Sequence, residues 1–384
     1  MDKFRDTRDL PLLAADHQNL VLFHPHIPEA AISAVTETLR SRWIGQGPKV
    51  DSFEEKLVTQ LGLSTTAIAV GAGTDALHLA FLLAGLQPGD EVIAPVFTCT
   101  ATNIPLLYLG VDIKFADIQP NTLNLDPAHV RQLVSERTKA IVCVHYGGLP
   151  CDLDELRSIA DEFQIPIIED AAQALGATYK GRPIGDISEF TIFSFQAIKH
   201  LTTGDGGMLL LRDHGLREKA ERMRWFGIDR SAKQGGTWSN EISEIGYKYQ
   251  MTDIGAAMGL AGLDCLDEVL SVRRTLFQAY QNELSGIPGL ELIGANLPDR
   301  EHAAWLMTMA VDRRRDLERK LRDHRVESGQ VHFRNDRYKV FEKYRTTEVP
   351  NMDAVEDRYL VLPLHMKVTL DDVGRVGEVI RSGW

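Results

Sequence analysis

The sequence predicts an α/β fold with a large domain, built on a mainly parallel mixed sheet flanked by helices, and a smaller α+β domain at its C-terminal end. Between about residues 65 and 212, short apolar runs alternate with amphipathic stretches, which is typical of a parallel sheet. Beyond about residue 260 the pattern changes to one long charged helix and mixed short elements. A chain of 384 residues also exceeds the usual size of a single core. We therefore expect a large domain at residues 1–262 and a small one at residues 263–384, on which the N-terminal segment can also pack.

Six runs rich in β-branched and other apolar residues predict the strands of the large domain: residues 66–70, 91–94, 140–144, 165–169, 190–193 and 207–211. Helices are predicted where apolar residues recur at helical spacing. They cover residues 27–39, with Pro28 in the first turn, residues 153–163 and residues 266–284. Because ligands of such sheets collect at the carboxyl ends of the strands, we expect functional residues in the turns after these runs.

Composition and charge disfavour several classes of function. Apolar residues make up 44% and charged residues 25% of the chain, as in ordinary globular proteins. The formal net charge of −12 disfavours binding to nucleic acid or to a membrane surface. No apolar run suits a membrane span and the charged N-terminus differs from a secretory signal, so we expect a cytoplasmic protein. The four cysteines lack the spacing of a metal or redox motif, and no metal site is predicted.

An acidic residue and a lysine follow two of the predicted strands. Asp170 ends the run Ile-Ile-Glu-Asp, where its carboxylate can stay ionised only beside a cation. Lys199 lies between the strand at residues 190–193 and a glycine-rich stretch at residues 203–207, where a planar ligand finds room. Taken alone, Asp170 also fits a helix N-cap and Lys199 a solvated surface charge. Together they meet two requirements of a pyridoxal-type cofactor, a lysine for its aldehyde and a carboxylate for its pyridine nitrogen.

A glycine turn before a helix supplies a third requirement, a place for a phosphate group. The strand at residues 66–70 is followed by the turn Gly-Ala-Gly and by a helix that starts near Thr74. Unpaired backbone N–H groups at a helix N-terminus attract anions. Ser194, five residues before Lys199, offers a hydroxyl to the same phosphate, although taken alone it also fits an ordinary polar residue at a strand end. The three parts together indicate pyridoxal 5′-phosphate as the cofactor.

These segments resemble the DegT/DnrJ/EryC1/StrS family of sugar aminotransferases, which are fold-type-I pyridoxal-phosphate enzymes. The likeness is strongest over residues 165–208, in the blocks Ile-Ile-Glu-Asp-Ala-Ala-Gln-Ala-Leu-Gly-Ala-Thr-Tyr-Lys-Gly-Arg and Ser-Phe-x-x-x-Lys-x-Leu-Thr-Thr-Gly-Asp-Gly-Gly-Met. Shorter matches lie at residues 42–48, 73–78, 91–95, 144–147, 246–253 and 328–332. The resemblance covers nearly the whole chain and implies the fold-type-I architecture.

The resemblance also implies a role for each matching position. Lys199 would be the Schiff-base lysine and proton shuttle, and Asp170 the partner of the pyridine nitrogen. Gln173 would lie against the cofactor ring, and His332 would face the sugar. Four positions would hold the phosphate: Gly73, Thr74, Asp75 through its amide, and Ser194. Because the segment at residues 246–251 comes from the neighbouring subunit in this family, we expect a homodimer with shared active sites.

Two candidate cofactor-binding positions depart from the family pattern. Lys248 stands where the family usually has an asparagine that donates to the phosphate from the partner chain. A lysine can do the same with a full charge, or it can point to the nucleotide. Cys99 stands where an aromatic residue commonly covers the cofactor ring. Either Phe97 or a shifted residue covers the ring, or a thiol contact suffices.

The resemblance implies an aminotransferase that converts a nucleotide-linked keto-deoxysugar to an amino sugar, with L-glutamate as the amino donor. One alternative is a sugar dehydratase on the same scaffold, but there a histidine replaces the Schiff-base lysine, whereas this chain has Lys199 beside His200. Another alternative is a non-catalytic regulator that retains the cofactor fold. Substrate contacts are expected from the loops at residues 43–48, 235–241 and 330–335, whose sequences do not identify the nucleotide or the sugar.

Overall fold

The computed structural model describes residues 12–16, 18–230, 236, 239 and 241–384, so most of the predicted substrate loop at residues 235–241 lies outside the described residues. The α-helices are α1 Glu29–Arg40, α2 Pro48–Leu61, α3 Gly73–Leu83, α4 Thr100–Tyr108, α5 Pro127–Leu133, α6 Leu153–Phe163, α7 Arg217–Met223, α8 Asp253–Asp264, α9 Leu266–Leu284, α10 Arg314–Asp323, α11 Pro350–Val355 and α12 Leu370–Arg381. The strands are β1 Thr66–Val70, β2 Glu91–Pro95, β3 Phe97–Thr98, β4 Asp112–Ala116, β5 Thr138–Val144, β6 Ile167–Asp170, β7 Thr178–Tyr179, β8 Arg182–Pro183, β9 Phe190–Ser194, β10 Gly207–Leu211, β11 Leu290–Ile293, β12 Arg300–Glu301, β13 Met307–Val311, β14 Phe333–Arg334 and β15 Tyr359–Leu362.

Seven of these described strands form the large sheet, in the order β1-β10-β9-β6-β5-β2-β4. The strands from β9 to β4 run parallel, whereas β10 is antiparallel to both of its neighbours. The predicted α/β class with a mainly parallel mixed sheet is confirmed. Because β6 and β9 are neighbours and Asp170 pairs with Ile192, the turns that follow both strands meet at one edge of the sheet.

Alternate side chains of the large sheet enter two apolar layers, one on each face. In β10, Leu209 and Leu211 belong to one layer, Met208 and Leu210 belong to the other, and all four are buried. The two-residue period of a strand produces this division. Burial of each such side chain contributes roughly 1.5–3 kcal/mol, so both layers stabilise the sheet that supports the site.

A second sheet, in the order β11-β13-β15, is antiparallel and lies in the C-terminal part of the chain. The N-terminal segment packs here, since Leu20 forms a parallel bridge with Val326 and its amide donates to the Arg325 carbonyl at 2.9 Å. Backbone pairing also joins β14 to β3 and β12 to β7. The predicted domain boundary after residue 262 falls within α8 and stays a prediction.

The observed bounds of the elements follow local chemistry. The strand predicted at residues 165–169 is observed at Ile167–Asp170, because Pro166 has no N–H to contribute to the ladder. The helix predicted at residues 27–39 begins at Glu29, with Pro28 as its N-cap residue. None of the described helices is both long and apolar enough to cross a membrane.

Candidate active site

Asp170 lies at the end of β6, with only 4% of its surface exposed. Its Oδ2 accepts a hydrogen bond from Thr102 Oγ1 at 2.7 Å, and its Oδ1 accepts one from the Ala172 amide at 3.1 Å. Burial raises the pKa of Asp170, while these hydrogen bonds and the charge of Lys199 oppose the rise. Within the described part of the chain, no cation lies at ion-pair distance from this carboxylate. A cationic group of a ligand could therefore pair with the Asp170 carboxylate without displacing a cation of the described chain.

Lys199 lies in the turn between β9 and β10, where its amide donates to the Gln196 carbonyl at 2.9 Å. Its Nζ is 3.7 Å from the ring centroid of Trp305. Burial lowers the pKa of Lys199 from 10.5 to about 8, against the opposing effect of the Asp170 charge. A pKa of about 8 leaves part of the population as the neutral amine near neutral pH, and the neutral amine is the nucleophilic form.

Gln173 and His332 are hydrogen-bonded to each other. Gln173 Oε1 accepts from the Gly147 amide at 2.7 Å, which fixes the orientation of the side-chain amide. Gln173 Nε2 lies 3.3 Å from His332 Nε2 and, as an amide nitrogen, donates to it. Burial, with the charge of Lys199, lowers the pKa of His332 to about 3, so the imidazole is neutral and can accept this hydrogen bond. The predicted pair of ring-facing and substrate-facing residues is thus in direct contact.

The N-terminus of α3 faces Ser194. Ala72 is the N-cap residue and contributes no side-chain cap, so the first-turn amides at Gly73, Thr74 and Asp75 have no partner within the helix. A Cβ at Gly73 would lie 3.0 Å from Ser194 Cβ, closer than ordinary contact. Burial raises the pKa of the Asp75 carboxyl to about 6, with a hydrogen bond from the Ala72 amide opposing the rise. Free amides beside a hydroxyl make this turn suitable for an anion.

Cys99 is the N-cap residue of α4, and its side chain is exposed. It lies close enough to Lys199 and Tyr338 to influence the titration of both groups. Phe97 is only 1% exposed and packs on Tyr146, with the ring centroids 5.1 Å apart. The Phe97 ring belongs to the apolar core, and which residue covers the cofactor ring stays a prediction.

The segment that carries Lys248 pairs with the end of β1, where the Gly71 amide donates to the Tyr249 carbonyl at 2.7 Å. The side chain of Lys248 lines a cavity of about 1300 Å³, to which no other candidate residue contributes within the described lining. That cavity also includes Trp43 and other residues of the predicted substrate loop at residues 43–48. Five arginines are among the described residues that line this cavity: Arg42, Arg217, Arg222, Arg224 and Arg230. Within the described residues, Lys248 forms no hydrogen bond or ion pair with another candidate residue.

Behind Asp170 lies a buried cluster of Cys143, His145 and Cys151, whose side-chain ligand atoms are all within 4.8 Å of one another. His145 Nδ1 accepts from the Cys151 amide at 3.0 Å, so its proton is on Nε2, which donates to Glu169 Oε2 at 2.7 Å. Neither ring nitrogen keeps a lone pair for a metal. The His145 amide donates to the Asp170 carbonyl at 3.2 Å, so this cluster supports the backbone of the site.

Sequence reasoning missed two residues of the site, Trp305 and Thr102. Trp305 contacts Lys199 from a segment more than 100 residues away, and no motif around it points to a ligand. Thr102 could have been predicted from its spacing to another threonine. It follows Thr98 by four residues at the start of α4, and the two hydroxyls lie 2.8 Å apart, so that Thr98 donates to Thr102, which donates to Asp170.

A half-buried lysine, a buried carboxylate and an anion-binding turn at one edge of an α/β sheet define a cofactor-dependent enzyme of the pyridoxal-phosphate class. The model of the DegT/DnrJ/EryC1/StrS aminotransferase family matches residues 25–381. The chain therefore belongs to this family, whose members use pyridoxal 5′-phosphate. Both the predicted resemblance and the predicted cofactor are confirmed.

Two relatives extend the comparison. The chain is 37% identical over 372 residues to the spore coat polysaccharide biosynthesis protein SpsC of Bacillus subtilis, covering 93% of this chain and 95% of the relative. It is 34% identical over 375 residues to the UDP-4-amino-4-deoxy-L-arabinose--oxoglutarate aminotransferase of Shewanella sediminis, covering 93% and 96%. Among solved structures, AtS13 from Actinomadura melliaura has a TM-score of 0.91 at 38% identity, covering 97% of this chain and all of that one. The PLP-form of Spr1654 from Streptococcus pneumoniae has a TM-score of 0.89 at 28% identity, covering 95% and 98%.

Proposed function

We propose that this protein transfers the amino group of L-glutamate to the keto group of a nucleotide-linked deoxysugar. The observation that carries the proposal is the single buried site that joins Lys199, Asp170 and Gln173 at the edge of the sheet. Membership of a sugar aminotransferase family supports the reaction class. The name of the Shewanella relative contains a UDP-sugar and oxoglutarate, which supports the nucleotide and the donor, since 2-oxoglutarate is the keto acid that glutamate leaves.

The side chains of the site fit pyridoxal 5′-phosphate. Asp170 would pair with the protonated ring nitrogen, which is the cation that this buried carboxylate lacks within the described chain. Ser194 and the first-turn amides of α3 would hold the phosphate, and Lys199 would bind the aldehyde carbon. Gln173 would lie beside the ring, and Cys99 would line the opening near Lys199. When bound, the cofactor supplies an electron sink for bond breaking at the amino-bearing carbon.

In the first half of the reaction Lys199 would move a proton from the donor carbon to the cofactor, and in the second half it would move a proton from the cofactor to the sugar carbon. A pKa of about 8 suits both steps near neutral pH, since the amine and the ammonium forms are both populated. His332 stays neutral, so it would contact the sugar without placing a second buried cation beside Lys199. Asp170 and Gln173 are buried, so water would be excluded from their side of the reacting centre.

A homodimer with shared active sites is part of this proposal. Lys248 lines a cavity to which Lys199 of its own chain does not contribute within the described lining, so it would act on the phosphate or the nucleotide held by the partner. Exposed apolar side chains in α1 and just after it, Ile32, Leu39, Trp43 and Ile44, suit burial against a second copy. The predicted cytoplasmic location stays a prediction.

A panel of nucleotide-linked keto-sugars tests the proposal. The purified protein is incubated with L-glutamate and each sugar, and the products are analysed by mass. We expect an amino sugar from at least one substrate, with an equal amount of 2-oxoglutarate, and neither product from Lys199→Ala. Loss of water from the sugar without 2-oxoglutarate would instead indicate the dehydratase, and no reaction across the panel despite bound cofactor would indicate the non-catalytic regulator.

A further inference from the structure

The side-chain amine of Lys199 contacts the face of an aromatic ring rather than a carboxylate. Its Nζ lies 3.7 Å from the centroid of the Trp305 ring. Within the described residues, no acceptor forms a hydrogen bond with this amine. The negative face of an indole attracts an ammonium group, and the attraction is strongest where water is excluded. Trp305 is 2% exposed and Lys199 is half-buried, so water is excluded from the indole side of the contact.

The Trp305 ring is held rigidly. Its Nε1 donates to the carbonyl of Ile198, the residue before Lys199, at 3.1 Å. Phe23 stacks on it with a centroid distance of 5.9 Å and an interplanar angle of 23°. His332 stacks on it at 6.0 Å and 16°. The indole is thus fixed both to the backbone of the lysine turn and to the candidate substrate residue.

The backbone that carries Trp305 is strained and supported. Ala304 has a φ of +55°, in the left-handed region that residues other than glycine rarely adopt. Arg273 Nη1 donates to the Ala304 carbonyl at 3.3 Å and to the Leu364 carbonyl at 2.8 Å. The backbone next to Trp305 is thus held by a buried arginine.

We propose that the indole face of Trp305 is the resting place of the Lys199 ammonium group whenever this lysine is not bound to the cofactor. Trp305 is then a positioning residue for proton transfer. The inference rests on the proposed role of Lys199 as the proton carrier. While the cofactor holds the amino group, the lysine is free, and its flexible stem would otherwise let the amine swing out of reach. An indole retains the ammonium group more weakly than a carboxylate would, so the proton can still be returned to a substrate carbon.

The charged groups around the Lys199 amine also influence its pKa. Asp170 and Cys99 favour the ammonium form, whereas Arg273 disfavours it. The charge of Lys199 in turn lowers the pKa values of the neighbouring His200 and His332 imidazoles. Burial is the largest influence and lowers the pKa of Lys199 to about 8. Since the indole does not titrate, its attraction for the ammonium form is the same at every pH.

The pKa of Lys199 tests the proposal without any sugar or amino donor. The full-length protein is loaded with pyridoxamine 5′-phosphate, the amine form of the cofactor, which leaves Lys199 free. Trace labelling with isotopic acetic anhydride across a pH series, followed by mass analysis of the Lys199 peptide, gives the pKa. The pKa measured in wild type is the reference for the variants. Trp305→Leu keeps an apolar wall but removes the π face, so the pKa should fall by about one unit, and Trp305→Phe should fall by less.

Trp43→Leu is the matched control, because Trp43 lines the cavity at Lys248, and it should leave the pKa of Lys199 unchanged. If Trp305→Leu does not fold, Trp305→Phe carries the test alone. An unchanged or raised pKa in the folded Trp305 variants would overturn the proposal. Failure of the sugar panel would leave this titration unaffected, so the two proposals fail separately.

Discussion

Asp170 and Lys199 influence each other across the buried site. Burial disfavours the charged form of each group, and the charge of each group favours the charged form of the other. Thr102 and the Ala172 amide add hydrogen bonds to the ionised carboxylate. Each group therefore favours the charged form of the other without forming an ion pair within the described residues. This arrangement suits a ligand that carries both a cationic ring nitrogen and an electrophilic carbon.

At the residue scale, Asp75 gives a test of pH dependence. Its pKa is about 6 in the folded protein and about 3.8 ordinarily, so the folded state binds more protons than the unfolded state between these values. The stability contributed by its protonated form is present below pH 3.8 and is lost as pH rises through 6. Asp75→Asn should therefore gain Tm relative to wild type as pH rises from 4 to 7, measured by thermal unfolding of cofactor-free protein.

The exposed Asp323→Asn serves as the control for that experiment, and its Tm difference from wild type should not grow over the same pH range. A constant Tm difference for Asp75→Asn would contradict the raised pKa of Asp75.

Sequence and structure agree best for residues that lie in continuous motifs. Asp170, Gln173 and Ser194 were predicted because each follows or ends a strand in the block of family likeness. Trp305 was not predicted, because the loop that carries it is placed by a strained backbone and by contacts distant in the sequence. Long-range packing of this kind leaves no periodic signal in the sequence.

At the scale of elements, the junction between α3 and β9 decides how closely an anion is held. A side chain at Gly73 would meet Ser194, so Gly73→Ala should push the first-turn amides away from the hydroxyl. Losing one hydrogen bond to a charged group removes roughly 1.5–3 kcal/mol, so the affinity for pyridoxal 5′-phosphate should fall about tenfold or more. Titration of cofactor-free protein by visible absorbance measures this change.

Gly374→Ala is the matched substitution, because it lies in α12 and an added Cβ there meets no atom within 4 Å. It should leave cofactor affinity unchanged. Equal affinities for Gly73→Ala and wild type would contradict an anion site at this junction.

Element bounds were predicted well where apolar runs are continuous. β1 and β10, α6 and α9 have the predicted limits. β4 was missed because Asp112 and Lys114 alternate with buried residues at the edge of the sheet and interrupt the apolar run. The antiparallel placement of β10 is a tertiary feature, since its sequence alone does not specify which neighbours it pairs with.

At the scale of the whole molecule, the proposed action of Lys248 in the site of the partner chain makes shared active sites testable. Two inactive variants, Lys199→Ala and Lys248→Glu, are unfolded together, refolded as a mixture and assayed. In a hybrid dimer with shared sites, one site would combine an intact Lys199 with the intact Lys248 of the other chain. The mixture should therefore recover activity, whereas sites contained within single chains would give none.

Covalent binding of pyridoxal 5′-phosphate by Lys199, next to Asp170, can be measured directly. The purified protein is reduced with borohydride and its peptides are analysed by mass. One phosphopyridoxyl group per chain is expected, on Lys199, and none on that peptide in Lys199→Arg. A reduced adduct on a different lysine, or no adduct in protein that contains the cofactor, would contradict it.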